Sequence, residues 1–450
     1  MRDLALILLV LGILPFTLSR PYVGLLLWSW LGYMNPHRLT WGFAYDFPFA
    51  QLAAVACLFA VMFSRERLFF SPSAPRFPWC GTTLLWLAFL VWITFTSMFA
   101  INDEWAWSGW ERAMKIQLFA LLTLCYFQTR ERLTALLWII VLSLGFFGVK
   151  GGLFTLLNTQ GGLVWGPAGS YIEGNNELGL TLVMIVPLAW HLMNYSTNRW
   201  ARLGLAGTML MCFASMLGTY SRGCVLAAAA MVGFMALKSR HRLRFSLLVV
   251  ALMPLMIVSV PDEWIQRVES IGSYEEDGSA MNRIWAWQHA IDVANARPLG
   301  GGIDFTSEDA YQRFSPAIAE KITTTTGKFS GPHSIFFKVL GEHGWIGLLL
   351  YLALGWSVYR CGSDVIRMTA NRPDLMWERD LASMLQVSLV GFIVGGAFLG
   401  LTYFDLPWHL AGMLVILRFV IQQRGEQVVV RSRTGPFTEI VGSARATPQA

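Results

Sequence analysis

The chain is 450 residues long, 55% hydrophobic and only 14% charged, with 20 Trp and 30 Phe, whereas a soluble domain carries roughly 25% charged residues. Too few polar residues remain to clothe a water-soluble surface, so a soluble globular protein is excluded and lipid becomes the main solvent. The net charge of +6 does not indicate nucleic acid, because the basic residues lie in small clusters between apolar runs.

In chain order, Leu4 to Thr17 is apolar and lacks a small-residue cleavage site after it, so it reads as a retained anchor. Arg20-Pro21 interrupts the first 34 residues, and proline removes a helical hydrogen bond. The expectation there is one kinked or partly re-entrant crossing; an outside N-terminus with thirteen spans is the alternative. Further spans are predicted near 49–63, 81–100, 115–127, 134–157, 178–194, 203–219, 222–237, 245–260, 335–358, 381–401 and 409–423. Between the second and third of these, Ile101 to Lys115 combines Trp105, Trp107 and Trp110 with Glu111, Arg112 and Lys115, as an interfacial helix does. The predicted fold is therefore all-α, a polytopic membrane protein of about 12 transmembrane helices with a large, partly helical periplasmic loop. Residues 1–260 hold helices 1–9, 261–332 the loop, 333–423 helices 10–12, and 424–450 a disordered cytoplasmic tail.

Charge sets the orientation. Arg65 and Arg67, Arg130 and Arg132, Arg199 and Arg202, Lys238 to Arg244, Arg360 and Arg367, and Arg424, Arg431 and Arg433 all sit in connections or in the tail, the positive-inside pattern. Both termini are then expected in the cytoplasm. Residues 261–332 hold eleven acidic and six basic residues, a net charge of −5, which fits an exported segment. Within it, Ser279 can cap a helix through Arg283 to Ala296 with Ile284, Trp287 and Ile291 on one face, ended by Pro298 and Gly300 to Gly302. The six cysteines lie in or beside apolar spans, with neither metal-ligand nor disulfide spacing.

Among residues suited to chemistry, His333 is the sharpest. It stands where the acidic loop meets an apolar helix, with Ser334 placed to cap that helix. The helix dipole disfavours imidazolium there, and a neutral histidine can accept a proton from a sugar hydroxyl; the plain alternative is an interfacial histidine snorkelling to water. Gly344 and Gly347, spaced i, i+3, offer a smooth surface to another helix, and Glu342 with His343 reads as a buried polar pair. Arg222 falls on the external side, where tight basic clusters are otherwise absent. It is either a snorkelling residue or an anion site, since guanidinium presents fixed donors to a diphosphate. Arg283, near the positive end of the loop helix, can supply a second prong or be a solvated charge. Lys150, near the external end of its span, is a weaker candidate of the same kind.

The segment from Pro332 to Gly347, with His333, Ser334, Gly344 and Gly347, resembles the signature of the O-antigen ligase family: His, then Asn, Ser or Gln, nine residues, then Gly-x-x-Gly. Ser221-Arg222-Gly223 and Asn282-Arg283 resemble that family's two arginine sites, and Gly174 to Gly179, with Asn176, its external Asn-containing segment. The first 50 residues further resemble the O-glycosylation ligases associated with exosortase systems. The resemblance implies a bacterial inner-membrane enzyme, active on the periplasmic face, that moves glycan from undecaprenyl diphosphate to an acceptor hydroxyl with inversion. Arg222 and Arg283 would hold the diphosphate and His333 would be the base, supported by Ser334, Lys150, Asn176 and Arg112. No metal or other cofactor and no nucleic acid is implied; the partners are the lipid-linked glycan, membrane lipids and an acceptor, with lipid A core first and a glycan or protein as alternatives. A polymerase or protein O-oligosaccharyltransferase is the enzymatic rival and a lipid-linked oligosaccharide flippase the non-enzymatic one, although a flippase would also place polar residues near the bilayer midplane.

Overall fold

The computed structural model of the chain describes residues 1–66, 68, 75–158, 162–238 and 278–434, and among the described residues every regular element is helical. In chain order the helices are α1 (Arg2–Ser19), α2 (Pro21–Met34), α3 (Phe49–Phe63), α4 (Gly81–Ser97), α5 (Asp103–Tyr126), α6 (Arg130–Leu157), α7 (Asn175–Tyr195), α8 (Arg199–Gly218) and α9 (Arg222–Lys238). Beyond residue 277 come α10 (Gly278–Ala296), α11 (Glu308–Phe314), α12 (Pro316–Thr325), α13 (Ile335–Met368), α14 (Met376–Gly396) and α15 (Asp405–Thr434). By length and composition α1, α6, α7, α8 and α13 can cross a membrane, and α3 and α4 are shorter apolar helices. The predicted span at 245–260, the connection from 239 to 244, the first part of the acidic loop and the end of the tail lie outside the described residues.

Helix α7 is the centre of the bundle. Leu178 through Leu192 is buried without interruption, as a helix apolar on every side must be, and it packs against α6, α8, α9 and α14. The tightest seam joins α6 to α8, where Gly148 of α6 faces Cys212 and Gly152 faces the Met211 backbone; small residues let helix axes approach this closely.

The first 34 residues differ from the expected single crossing. Arg20 is extended (φ −138°, ψ 99°) ahead of Pro21, the first residue of α2, because the proline ring disfavours helical geometry in the residue before it. The chain turns back there rather than kinking. At the other end of the hairpin, Asp3 Oδ1 accepts from the Gly42 and Ala44 amides at 3.1 and 3.2 Å. The Met1 end thus lies beside the 35–47 segment, which also reaches the His333 end of the bundle, since Arg38 packs against Gly169. Arg424, paired with Glu378 at 3.5 Å, lies at the opposite end with Arg132, which bonds Glu66 at 3.0 Å, and Arg130, which lies over Trp377. The Met1 end and the Arg424 end of the described chain therefore lie at opposite ends of the bundle, where the sequence predicts both on one side.

Two other elements differ from expectation. The interfacial segment and the following span form one uninterrupted helix, α5, capped by Asn102, whose side chain accepts from Trp105 N at 3.1 Å. In α10 the buried face carries Ala286, His289, Ala290 and Val293 rather than Ile284, which is 41% exposed. His289 stacks on Tyr311 at 3.7 Å and meets Ser315 Oγ at 2.9 Å, so α10 is held by the short helices after it.

Candidate functional site

The site grows from a break in α13. Gly344 adopts φ 68° and ψ −173°, outside helical geometry, which strips the carbonyls one turn earlier of their helical donors. The loop after α10 supplies replacements: Gly301 N donates to Gly341 O at 2.7 Å and Gly302 N to Glu342 O at 2.9 Å. Gly300 and Gly302 both have positive φ (73° and 82°), and a Cβ on Gly300 would press on the Glu342 carbonyl. Glycine is needed there. Likewise a Cβ on Gly344 would strike the Pro298 carbonyl, so the role expected for Gly344 is corrected: it admits a loop backbone rather than smoothing a helix face. Gly347 does pack, against His343 and Trp92.

This docking brings Asp304 onto α13. Its amide donates to Glu342 Oε1 at 3.2 Å, and its carboxylate lies 3.8 Å from Lys338 Nζ and 3.6 Å from Arg112. Lys338 also meets Glu342 at 3.6 Å. Tyr403 OH donates to Glu342 Oε2 at 2.6 Å and meets His343 Nε2 at 2.6 Å, while His343 Nδ1 meets Thr96 Oγ1 at 2.7 Å. The expected polar pair is thus the inner end of a longer network in which every charge has a partner, as burial requires.

Above the network opens a hollow of about 470 Å³ lined by Tyr171, Glu173, Glu177, Asp304, His333, Lys338 and Glu342, among others. His333 sits on its lip, exposed, in the left-handed region (φ 41°). The turn is held from behind: Trp287 Nε1 donates to Pro332 O at 2.6 Å, and Trp287 stacks on Phe337 at 5.0 Å. Desolvation, and then the positive charges of Arg283, Lys338 and Lys328, hold the His333 imidazole below its ordinary pKa of 6.5. The expected neutrality therefore has a different main cause from the helix dipole.

Ser334 stands at the N-cap position of α13, but its side chain makes no capping bond. Ser221 does cap α9, its Oγ accepting from Cys224 N at 3.2 Å, and this sets Arg222 at the first position of that helix. Gly223 faces Phe398, and Phe398 lies 6.3 Å from Trp287, one turn beyond Arg283. The two arginines are thus carried by neighbouring elements around Phe398, although neither lines the hollow. Arg283 falls in the second turn of α10 and does not open it, so it gains little from the helix terminus. Asn175 Nδ2 donates to Thr219 O at 2.8 Å, tying the Asn176 segment to the Arg222 turn; Asn176 itself bonds Asn175. Arg112 reaches the site through Asp304. Lys150 does not: it lines a separate hollow with Arg2, Trp30 and Thr40.

Sequence reasoning missed Lys338, Asp304, Glu173, Glu177 and Tyr403. Lys338 carried a usable signal, an ionisable residue four positions from Glu342 in an apolar helix; Asp304 carried none. A model of a family of unknown function matches residues 1–197, and the O-antigen ligase family model matches residues 207–352. No curated protein is significantly similar to the chain.

Proposed function

We propose, from the match of residues 207–352 to the O-antigen ligase family model, that this chain is a multi-pass inner-membrane glycosyltransferase of the ligase type, working at the periplasmic end of its bundle. His333 takes the proton of an acceptor hydroxyl, whose oxygen attacks the anomeric carbon of a glycan on undecaprenyl diphosphate. The glycosyl C–O bond breaks with inversion and its electron pair leaves with the lipid diphosphate. Arg222 and Arg283 face that diphosphate, where fixed cations stabilise the charge that develops on the leaving group. The basic clusters at the opposite end of the bundle, around Arg130, Arg132 and Arg424, support assigning that end to the cytoplasm.

The observation that carries this reading is the position of His333: an accessible imidazole, kept neutral by its surroundings, on the lip of a polar hollow. A general base must be deprotonated and within reach of the hydroxyl it serves. The polar network also argues against a flippase, because Glu342 and Lys338 line the same hollow as His333 rather than a second site at mid-depth. Lipid A core is the first acceptor to try, with a growing glycan and an exported protein as the others.

The test is reconstitution of the purified full chain in proteoliposomes with undecaprenyl-diphosphate-linked glycan and each acceptor in turn. Covalent transfer to one of them is expected. Movement of the lipid-linked glycan between leaflets without transfer to any acceptor would overturn the reading.

A further inference from the structure

The hollow beside His333 contains neither arginine proposed to hold the diphosphate. Its ionisable lining, His333 apart, is four carboxylates, Glu173, Glu177, Asp304 and Glu342, against the single ammonium of Lys338. That ammonium is already engaged, lying 3.8 Å from Asp304 and 3.6 Å from Glu342. Taking the glycosyl-transfer reading of the site as given, we propose that this hollow is the subsite for the accepting sugar. Its occupant is a polyhydroxylated ring with no phosphate or carboxylate near the reacting hydroxyl.

Three observations converge on that ligand. At about 470 Å³ the cavity lies within the range of small-molecule sites, roughly 300 to 1,000 Å³, and His333 stands on its lip, where the reacting hydroxyl must be. The walls are rich in acceptors. Each ionised carboxylate oxygen can accept more than one hydrogen bond, and Glu173 commits only Oε2, to the Gly169 amide at 2.8 Å. Sugar hydroxyls donate as well as accept, so they can satisfy such walls. A phosphate dianion only accepts, whereas the one cation lining the hollow is engaged and Arg112 behind it is held by Asp304 at 3.6 Å; the Arg283 charge bears on Glu177 from outside the lining. Tyr171, 40% exposed at the rim, adds a flat apolar face with a polar tip.

The division of labour follows. Anionic chemistry stays with Arg222 and Arg283 around Phe398, and the neutral nucleophile enters from the carboxylate side. The proton that His333 takes belongs to the sugar in the hollow; the bond that breaks belongs to the donor on the far side of the imidazole.

The experiment measures binding to the purified full chain by titration calorimetry. The probes are a core-type pentasaccharide, the same pentasaccharide bearing one phosphate monoester beside the accepting hydroxyl, and undecaprenyl diphosphate. The unphosphorylated probe is expected to bind about tenfold tighter or more. Glu173→Gln keeps the shape and removes one charge, and should bring the ratio to about threefold or less while leaving undecaprenyl diphosphate binding unchanged. Glu177→Gln, at a carboxyl that also feels the Arg283 charge, should narrow the ratio in the same direction. Equal affinities in the wild type, preference for the phosphorylated probe, binding of neither pentasaccharide, or a ratio untouched by the substitutions would overturn the proposal. Failure of the transfer reading would show separately, as a wild-type chain that does not bind undecaprenyl diphosphate.

Discussion

His333 and His343 lie on one stretch of chain, at its entry into α13 and at the break within it, and they could hardly be placed more differently. His343 is fully buried, and both ring nitrogens are taken, by Thr96 and Tyr403. Its backbone carbonyl also receives Trp92 Nε1 at 2.9 Å. His333 opens onto the hollow from a strained left-handed turn, and the polar contact in that turn, from Trp287, falls on the carbonyl before it. Identical side chains therefore serve opposite ends: one completes a closed network, and the other leaves its proton chemistry to whatever enters the hollow. The number of partners already satisfied separates them, not the residue type.

Substitution should separate them further. His333→Ala is expected to lose roughly 10²- to 10⁴-fold in transfer rate, the usual contribution of a general base, with thermal unfolding in detergent unchanged. His343→Ala should do the reverse. Thr96 keeps the Trp92 and Ile93 carbonyls and Tyr403 keeps Glu342, so each loses one bond, worth about 0.5–1.5 kcal/mol, and the missing ring leaves a cavity; both are read as a lowered unfolding temperature, with activity per folded molecule largely kept. A stable but inactive His343→Ala chain would erase the distinction.

The arginines sharpen the comparison from the donor side. If Arg222 and Arg283 share one diphosphate, a double-mutant cycle on donor affinity should give a coupling of about 0.5 to 3 kcal/mol. Lysine at either position keeps the charge but loses the planar fork, so it should recover only part of what alanine loses. Strictly additive losses with unchanged donor affinity would separate the two residues. The smallest expected effect is that of Lys328→Gln, which removes the last of the three positive charges acting on His333. It should raise the pH at which activity declines only slightly, because charges in contact with solvent are screened.

How much of this was legible in the sequence depends on the range of the interaction. The helical pattern follows apolar runs, so α3, α6, α7 and α8 lie close to their predicted spans. His333, Arg222 and Arg283, the residues proposed for the site, stand out in the sequence as ionisable groups beside apolar stretches. The N-terminal hairpin was not legible, since it rests on Asp3 reaching the amides of Gly42 and Ala44 across nearly forty residues. Nor was the break at Gly344 legible: the sequence shows glycines at 300 to 302 and at 344, but only the fold reveals that one set of amides replaces the donors lost at the other. Asp304 follows from that docking and from nothing local. The buried face of α10 was misread because alanines and a histidine face inward while the larger Ile284 is left outside, a choice made by close contact with α13 and α11 rather than by hydropathy.

The central claim is that His333 is a general base held neutral by its surroundings, and the pH dependence of kcat/KM tests it most directly. Protonation as the pH falls destroys a base, and partial desolvation at the lip, with the charges of Arg283, Lys338 and Lys328, holds the imidazole below 6.5. The acidic limb of the wild-type profile should therefore lie below pH 6.5. It should move upward in Arg283→Gln, whatever that change does to the height of the profile, and vanish from the residual activity of His333→Gln. A limb at or above pH 6.5 that ignores Arg283→Gln, or one that survives in His333→Gln, would contradict the account.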